Sequence, residues 1–454
     1  MNKTIPKIDK FPSNWLKLAK KPLLYFTERT LKNRNIVDLN LFLTVESYLL
    51  CEPEYIEHVM VKNNKNYKKG RSYEPLKLIL GNGLLTSEGD FWKRQRRIAQ
   101  PAFHKKVLAG FTESISNIVS EMIARWDKSI KEGNDTLNIA DEMMKLTVHI
   151  TSKLLFGADI SGKEDRVLFL VGDLNERSIN MLKTPVRIPL WLPTPGNLQY
   201  KKNRSELFEI INEIILKRRK SPEGEHHDLL QMLMDATDEE TGEQMTDLQL
   251  RDEVITLFLA GSETSSNALA WTFHLFCQNR DKEEKARMEI DQILVKGLSG
   301  LEALRELRYL NMVMQESMRI FPPAWFISRE ALNDDEIDGY KIPKKTQVYI
   351  SIHGMHNHPR YWEEPEKFIP ERFEQNDRPK YAYFPFGGGP RLCIGIELAR
   401  MEVILGLFEL LQEYTFEQID KIVEPEPLIT LRPKNGLHLK ISKRKIKQNE
   451  VLSE

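Results

Sequence analysis

The sequence predicts a mainly α-helical fold with a smaller β part, built around one unusually long central helix. Three observations carry that expectation. Apolar residues recur at helical spacing from Trp92 to about Arg308. Inside that region, roughly thirty residues run unbroken from the capping pattern Thr246-Asp-Leu-Gln249 to about Asn279, enough for about 45 Å of helix. Runs with strand-like composition lie only towards the two ends of the chain.

Taken in order, residues 36–40 and 44–50 read as strands, and the first segment as β-rich. Glu52-Pro53 opens a helix, because proline suits the first helical turn. Helices are expected over 111–131, 137–156, 201–219 and 229–234, with a proline-dense loop at 184–196. The stretches 221–228 and 235–244 are polar and expected on the surface. Strands return after Phe321, most clearly at 347–352. The runs 428–431 and 437–441 flank Pro433-Lys-Asn-Gly436 and predict a hairpin with an Asn-Gly turn. No linker or repeat divides the chain, so residues 1–454 read as a single domain with frayed tails at about 1–10 and 443–454.

With 41% hydrophobic and 29% charged residues and zero formal net charge, nothing draws the chain to nucleic acid or to an anionic membrane. Its three cysteines, Cys51, Cys277 and Cys393, form neither a disulfide framework nor a zinc spacing, and suit a reducing compartment. The charged N-terminus has no signal-like apolar core, and nowhere do ~18 uninterrupted apolar residues occur to span a membrane. A cytoplasmic location is expected.

Chemistry concentrates at Phe386-Gly-Gly-Gly-Pro-Arg391-Leu-Cys393-Ile-Gly395, which runs directly into the helical pattern that begins at Ile396. A cysteine just before a helix N-terminus meets a positive dipole end and free N–H groups, both of which favour thiolate. The glycines let backbone approach something flat and bulky, and Arg391 can meet an anionic group beside it. Such a thiolate is a candidate axial ligand for haem iron. An inert buried cysteine is the alternative for Cys393 taken alone.

In the long helix, Ala260-Gly261-Ser262-Glu263-Thr264-Ser265 places a helix-weakening glycine beside an acid and an alcohol. Thr264 can bond back to the carbonyl one turn earlier, and Glu263 can deliver protons. A small-residue crossing between packed helices is the competing explanation.

These motifs resemble the cytochrome P450 family, and the resemblance covers nearly the whole chain. Phe386, Gly389, Arg391, Cys393 and Gly395 fill the haem-binding signature, while 260–264 match the helix whose acid and alcohol guide protons. Glu316 and Arg319, with Arg372, resemble the family's buried structural triad. The resemblance implies a P450-like fold with its long helix over the haem. It also implies haem b (iron protoporphyrin IX) ligated by Cys393, with Trp92, Arg96, Arg329 and Arg391 at its propionates. Thr264 and Glu263 become the catalytic pair, and Leu85, Leu259, Ala260, Ala324, Trp325 and Phe326 line an apolar substrate pocket.

The activity implied is a monooxygenase inserting one oxygen atom from O2 into an organic, apolar substrate by hydroxylation or O-dealkylation. Electrons would come from a separate ferredoxin- or flavodoxin-type partner. Lys93, Arg94, Arg97, Lys105 and Lys106 offer either a docking face for an acidic partner or a merely solvated surface. The alternatives are a haem-thiolate peroxygenase or lipid-rearranging enzyme, a monooxygenase of a small polar substrate such as an O-methylated sugar, and a non-catalytic haem sensor or carrier. The histidines of His353-Gly-Met-His356-Asn-His358 read as packing and turn residues, and His226-His227 as exposed.

Overall fold

The computed structural model describes residues 3–8, 13–42, 44–157, 163, 166, 167, 169, 170, 172–174, 176, 177, 189–220, 227–375 and 377–445. Residues 184–188 of the proline-dense loop, 221–226 of the polar stretch, His226 and the last nine residues lie outside them.

The fold is mainly α with smaller sheets, and the long helix is its axis. Asp247–Gln278 runs 32 residues, and its capping box forms as the sequence predicts, with Thr246 Oγ1 accepting from Gln249 N and Gln249 Oε1 from Thr246 N. At 1.5 Å per residue it is about 48 Å long. Helix Ile139–Phe156 lies against one side of it, closely enough that Thr147 Oγ1 donates to Ser262 O at 2.9 Å. The helix Ile396–Glu413 packs against another side, and Pro195–Arg218 crosses nearby.

A five-stranded sheet closes one flank, in the spatial order Ile36–Asp38, Ser47–Leu50, Gln347–Ser351, Phe326–Ala331, Tyr67–Lys69. Only Ser47–Leu50 and Gln347–Ser351 run parallel. Among the described residues no helix is long and apolar enough to cross a membrane.

Four sequence expectations need correction. The first segment is not β-rich throughout, because helices Ser13–Lys20 and Pro22–Lys32 precede the first strand. The proline-dense loop ends earlier than expected: Thr194 caps a helix in which Pro195 takes the first position. The hairpin at 433–436 does not form. Asn435 and Gly436 do take positive φ, at 63° and 88°, but Leu431–Pro433 pairs with Pro425–Pro427 while His438–Lys443 pairs with Thr136–Asn138 and Tyr414–Gln418. Asn138 captures the chain there, its Oδ1 accepting from Leu437 N at 2.9 Å.

The described parts of both tails are tied down. Lys3 and Lys7 bridge to Tyr340 and Asp38, Lys443 pairs with Asp127 and Glu413, and Arg444 pairs with Asp291.

Candidate active site

Between the long helix and the 385–395 loop lies a cavity of about 620 Å³, and its lining is mostly apolar. Cys393 faces it from one side; Leu259, Ala260, Gly261, Glu263 and Thr264 face it from the other. The sequence-predicted residues Leu85, Ala324, Trp325 and Phe326 also line it, as do Trp92, Arg96, Arg329 and Arg391. All thirteen predicted site residues therefore meet around one space.

The loop is shaped by its own backbone. Cys393 N donates to Phe386 O at 3.0 Å, and Gly387 and Gly389 hold φ of +74° and +63°. A Cβ at Gly389 would overlap the Met60 carbonyl, and one at Gly388 the Tyr381 hydroxyl, whereas Gly395 has open space. The close approach expected of these glycines is thus, at two of them, to the protein itself.

Cys393 is exposed, but to interior space that the protein surrounds. Burial pushes its thiol up, against the Gly395 N–H and the Arg96 charge, which pull it down. The helix terminus favours thiolate as expected, through the Gly395 N–H, but desolvation outweighs that pull.

On the long helix, Thr264 Oγ1 donates to Ala260 O at 2.6 Å, the back-bond its position suggested. Gly261 packs against the Thr151 side chain, so the small-residue crossing and the open cavity wall are both real. Glu263 is held by a residue that the sequence did not single out. Thr430 Oγ1 donates to Glu263 Oε1 at 2.6 Å and accepts from Asn267 Nδ2 at 2.9 Å.

The cations gather at the cavity's loop side. Arg391 lies 3.7 Å from the Trp92 ring centroid and donates to Ser87 O and Glu88 Oε2, and burial pulls its guanidinium down to about 10. Arg96 donates to Leu392 O, and Arg329 to Ser328 O. Lys69 joins them unannounced by any motif. Its amine reaches Leu85 O, and burial, then Arg391 and Arg329, hold it well below its ordinary value. Among the described residues Glu88 is the one carboxylate salt-bridged to this group, and the three arginines leave positive charge uncompensated beside an apolar space. A thiol opposite the helix and a surplus of cations at one rim fit haem, a flat apolar ring bearing an iron and two carboxylates.

A second acid, which the sequence reading did not single out, lines the same cavity. Glu402 is 1% exposed, among the described residues neither carboxyl oxygen has a well-formed hydrogen bond, and burial pushes it up to about 8 against the pull of the nearby Ser265 hydroxyl. The signal was in the sequence, as a single acid inside the apolar run Met401-Glu402-Val403.

Behind the loop, Glu316 and Arg319 are both 0% exposed. Arg319 Nε and Nη2 donate to the two Glu316 oxygens at 2.7 and 2.9 Å, and Arg372 Nε to Glu316 Oε1 at 3.0 Å. His356, beside this triad, accepts Phe384 N at 2.9 Å and so fixes the start of the cysteine loop. Its neighbour His353 contacts Thr27 Oγ1, and burial holds the two rings down at about 3 and about 4 respectively.

The basic face is largely neutralised. Arg97 pairs with Asp238 and Glu240, Arg94 with Glu243, Lys93 with Asp90 and Lys105 with Glu397. Two of these cations, Arg94 and Arg97, are thus met by acids of one downstream turn of the same chain.

The Cytochrome P450 family model matches residues 12–441. Cyclooctat-9-en-7-ol 5-monooxygenase of Streptomyces melanosporofaciens is 34% identical over 364 residues, covering 79% of this chain and 78% of its own. Cyclooctatin synthase of the same organism is 30% identical over 421 residues, covering 92% and 90%. The crystal structure of the cytochrome P450DA heme domain matches with TM-score 0.88 and 25% identity, covering 98% of each chain.

Proposed function

This chain belongs to the cytochrome P450 family and is a haem-dependent monooxygenase, and on that premise we propose that it oxygenates a mainly apolar molecule by hydroxylation or O-dealkylation. The observation that carries the reading is Cys393 opening into an apolar cavity of about 620 Å³ beneath Ala260–Thr264. The cavity would take haem b: Cys393 would bind its iron, and Trp92, Arg96, Arg329 and Arg391, joined by Lys69, would hold its carboxylates. When bound, it supplies reductive activation of O2, so that one oxygen atom enters the substrate and the other leaves as water with two protons and two electrons.

The protein's own contribution is position and proton supply. Thr264 donates to Ala260 O at rest; turned from that bond, its hydroxyl can pass its proton into the cavity. Glu263 is the acid that refills it, swinging from the Thr430 hydroxyl that holds it at rest. Leu85, Leu259, Ala260, Ala324, Trp325 and Phe326 exclude water and hold the substrate's apolar body. Electrons come from a separate ferredoxin- or flavodoxin-type protein, residues 1–454 act as one domain, and the enzyme works in the cytoplasm.

The unsaturated alcohol named in cyclooctat-9-en-7-ol 5-monooxygenase supports a mainly apolar substrate. The acid–alcohol pair weighs against a peroxide-dependent role. The test is aerobic turnover of a terpenoid and lipid panel with a ferredoxin–reductase pair, read by mass spectrometry for products heavier by one oxygen. Equal turnover by peroxide alone, or a fully haem-loaded protein inert to the whole panel, defeats the proposal.

A further inference from the structure

One charged residue of the cavity belongs to none of the groups described. Arg71 lines the wall that runs away from Cys393 towards the N-terminal helices, among Trp15, Leu18, Phe26, Phe42, Trp325 and Leu428. Its backbone is fixed: Arg71 N donates to Gln347 Oε1 at 2.9 Å, and the next residue's hydroxyl, Ser72 Oγ, meets Ser328 Oγ at 2.5 Å. Its guanidinium lies 5.9 Å from the Phe42 ring centroid, and its charge acts on the buried Tyr349 phenol. With the described residues that guanidinium makes neither an ion pair nor a hydrogen bond.

Arg71 is separate from the cations assigned to haem. Ser328 pairs across the sheet with Tyr349, and Arg329 with Val348, so side-chain alternation sends Tyr349 and Ser328 to one face and Arg329 to the other. Arg71 sits with the Tyr349 face. The charges acting on Arg391 include Glu88, Arg329 and Arg96, and those acting on Lys69 include Arg391, Arg329 and Glu88; Arg71 is in neither set.

Three buried guanidinium groups outside the cavity show the contrast. Arg319, Arg287 and Arg218 each bind a carboxylate and at least one backbone carbonyl. A half-buried guanidinium against aromatic and aliphatic walls loses hydration without gaining a partner, unless an anion arrives with the ligand. We propose that Arg71 binds a carboxylate at the far end of the substrate, which makes the preferred substrates elongated apolar acids, either straight-chain or terpenoid. This rests on the reading of the cavity as the substrate site.

The test is an equilibrium titration of the ferric holoenzyme, followed by the Soret shift, with hexadecanoic acid against its methyl ester and abietic acid against its methyl ester. One charge-assisted bond implies that the acid of at least one pair binds about 10- to 100-fold more tightly than its ester. Arg71→Gln should abolish that preference while leaving ester affinity within about twofold, and Arg71→Lys should keep part of it. Equal affinity of acid and ester in the wild-type protein overturns the Arg71 assignment alone, and needs no variant to fold. An acid preference that persists in Arg71→Gln overturns it as well. A ferric haem band that responds to none of the four compounds overturns both this inference and the apolar-substrate reading beneath it.

Discussion

Glu316 is the residue whose removal the structure makes most costly. Its carboxylate accepts Arg319 Nε and Nη2, Arg372 Nε and Ile369 N, all within 3.0 Å. Glu316→Gln keeps the volume but leaves the fully buried Arg319 charge with the carbonyls of His356 and Lys367 and the Asn357 amide as its remaining partners. Breaking a buried pair from one side costs about 3–5 kcal/mol. With an unfolding entropy of about 2.1 cal/mol/K per residue, 454 residues lose about 1 °C of Tm per kcal/mol, so the melt falls by about 3–5 °C.

The damage should also reach the haem. Arg319 Nη1 binds His356 O, and His356 in turn receives Phe384 N at the root of the cysteine loop. Haem transfer to an apo-globin acceptor is therefore expected to accelerate in step with the loss of Tm. Arg372→Gln, at the edge of the cluster, loses one bond to Glu316 and should cost about half as much. The double variant Glu316→Met with Arg319→Met should recover part of the loss, because no charge is then stranded. A Glu316→Gln protein that melts within 1 °C of wild type, or a double variant worse than the sum of the singles, would refute the reasoning.

Three further outcomes are expected. Thr430→Val removes the hydroxyl that restrains Glu263 and should alter the pH profile and solvent isotope effect of turnover, while Thr430→Ser restores both; a Val variant with wild-type profiles would show that the bond has no part in proton supply. Gly389→Ala, at φ +63° against the Met60 carbonyl, should cost at least 1–3 kcal/mol and lower the haem content of purified protein, and normal loading would remove that constraint. Glu402 carries its proton up to about 8 in the folded state but to about 4.5 when unfolded, so its contribution to stability is present below about 4.5 and is lost as pH rises to 8. Glu402→Gln should therefore gain on the order of a few °C of Tm over wild type at pH 9 and nothing at pH 4, and a pH-independent difference would contradict a buried neutral acid.

What the sequence could state depended on how local the cause was. The Thr246 capping box is a contract between residues three apart, and it forms as written. Cys393, Arg391 and Gly389 share one loop, so their geometry travels with ten consecutive residues. The failed hairpin marks the opposite case. Asn435-Gly436 does turn, but which strand pairs beyond the turn is decided by Asn138, nearly three hundred residues earlier. The thiol follows the same logic: the helix terminus beside Cys393 is local and favours ionisation, while the burial that opposes it is assembled from the whole fold.

The charges extend that argument to function. For Arg94 and Arg97 the sequence left a docking face and a solvated face both open, because their intrachain partners, Glu243 and Asp238, lie about 150 residues downstream in a stretch read only as polar surface. Lys69, Glu402 and Thr430 went unnoticed because none carries a pattern, and each gains meaning only from what the fold sets against it. Arg71 stands out for the converse reason, since among the described residues no carboxylate is set against it. A motif reports chemistry that a family shares, whereas an unmatched charge in a finished interior reports what one protein still waits to bind. That is why the haem side of this cavity was readable from sequence, while the end that selects the substrate had to be read from the structure.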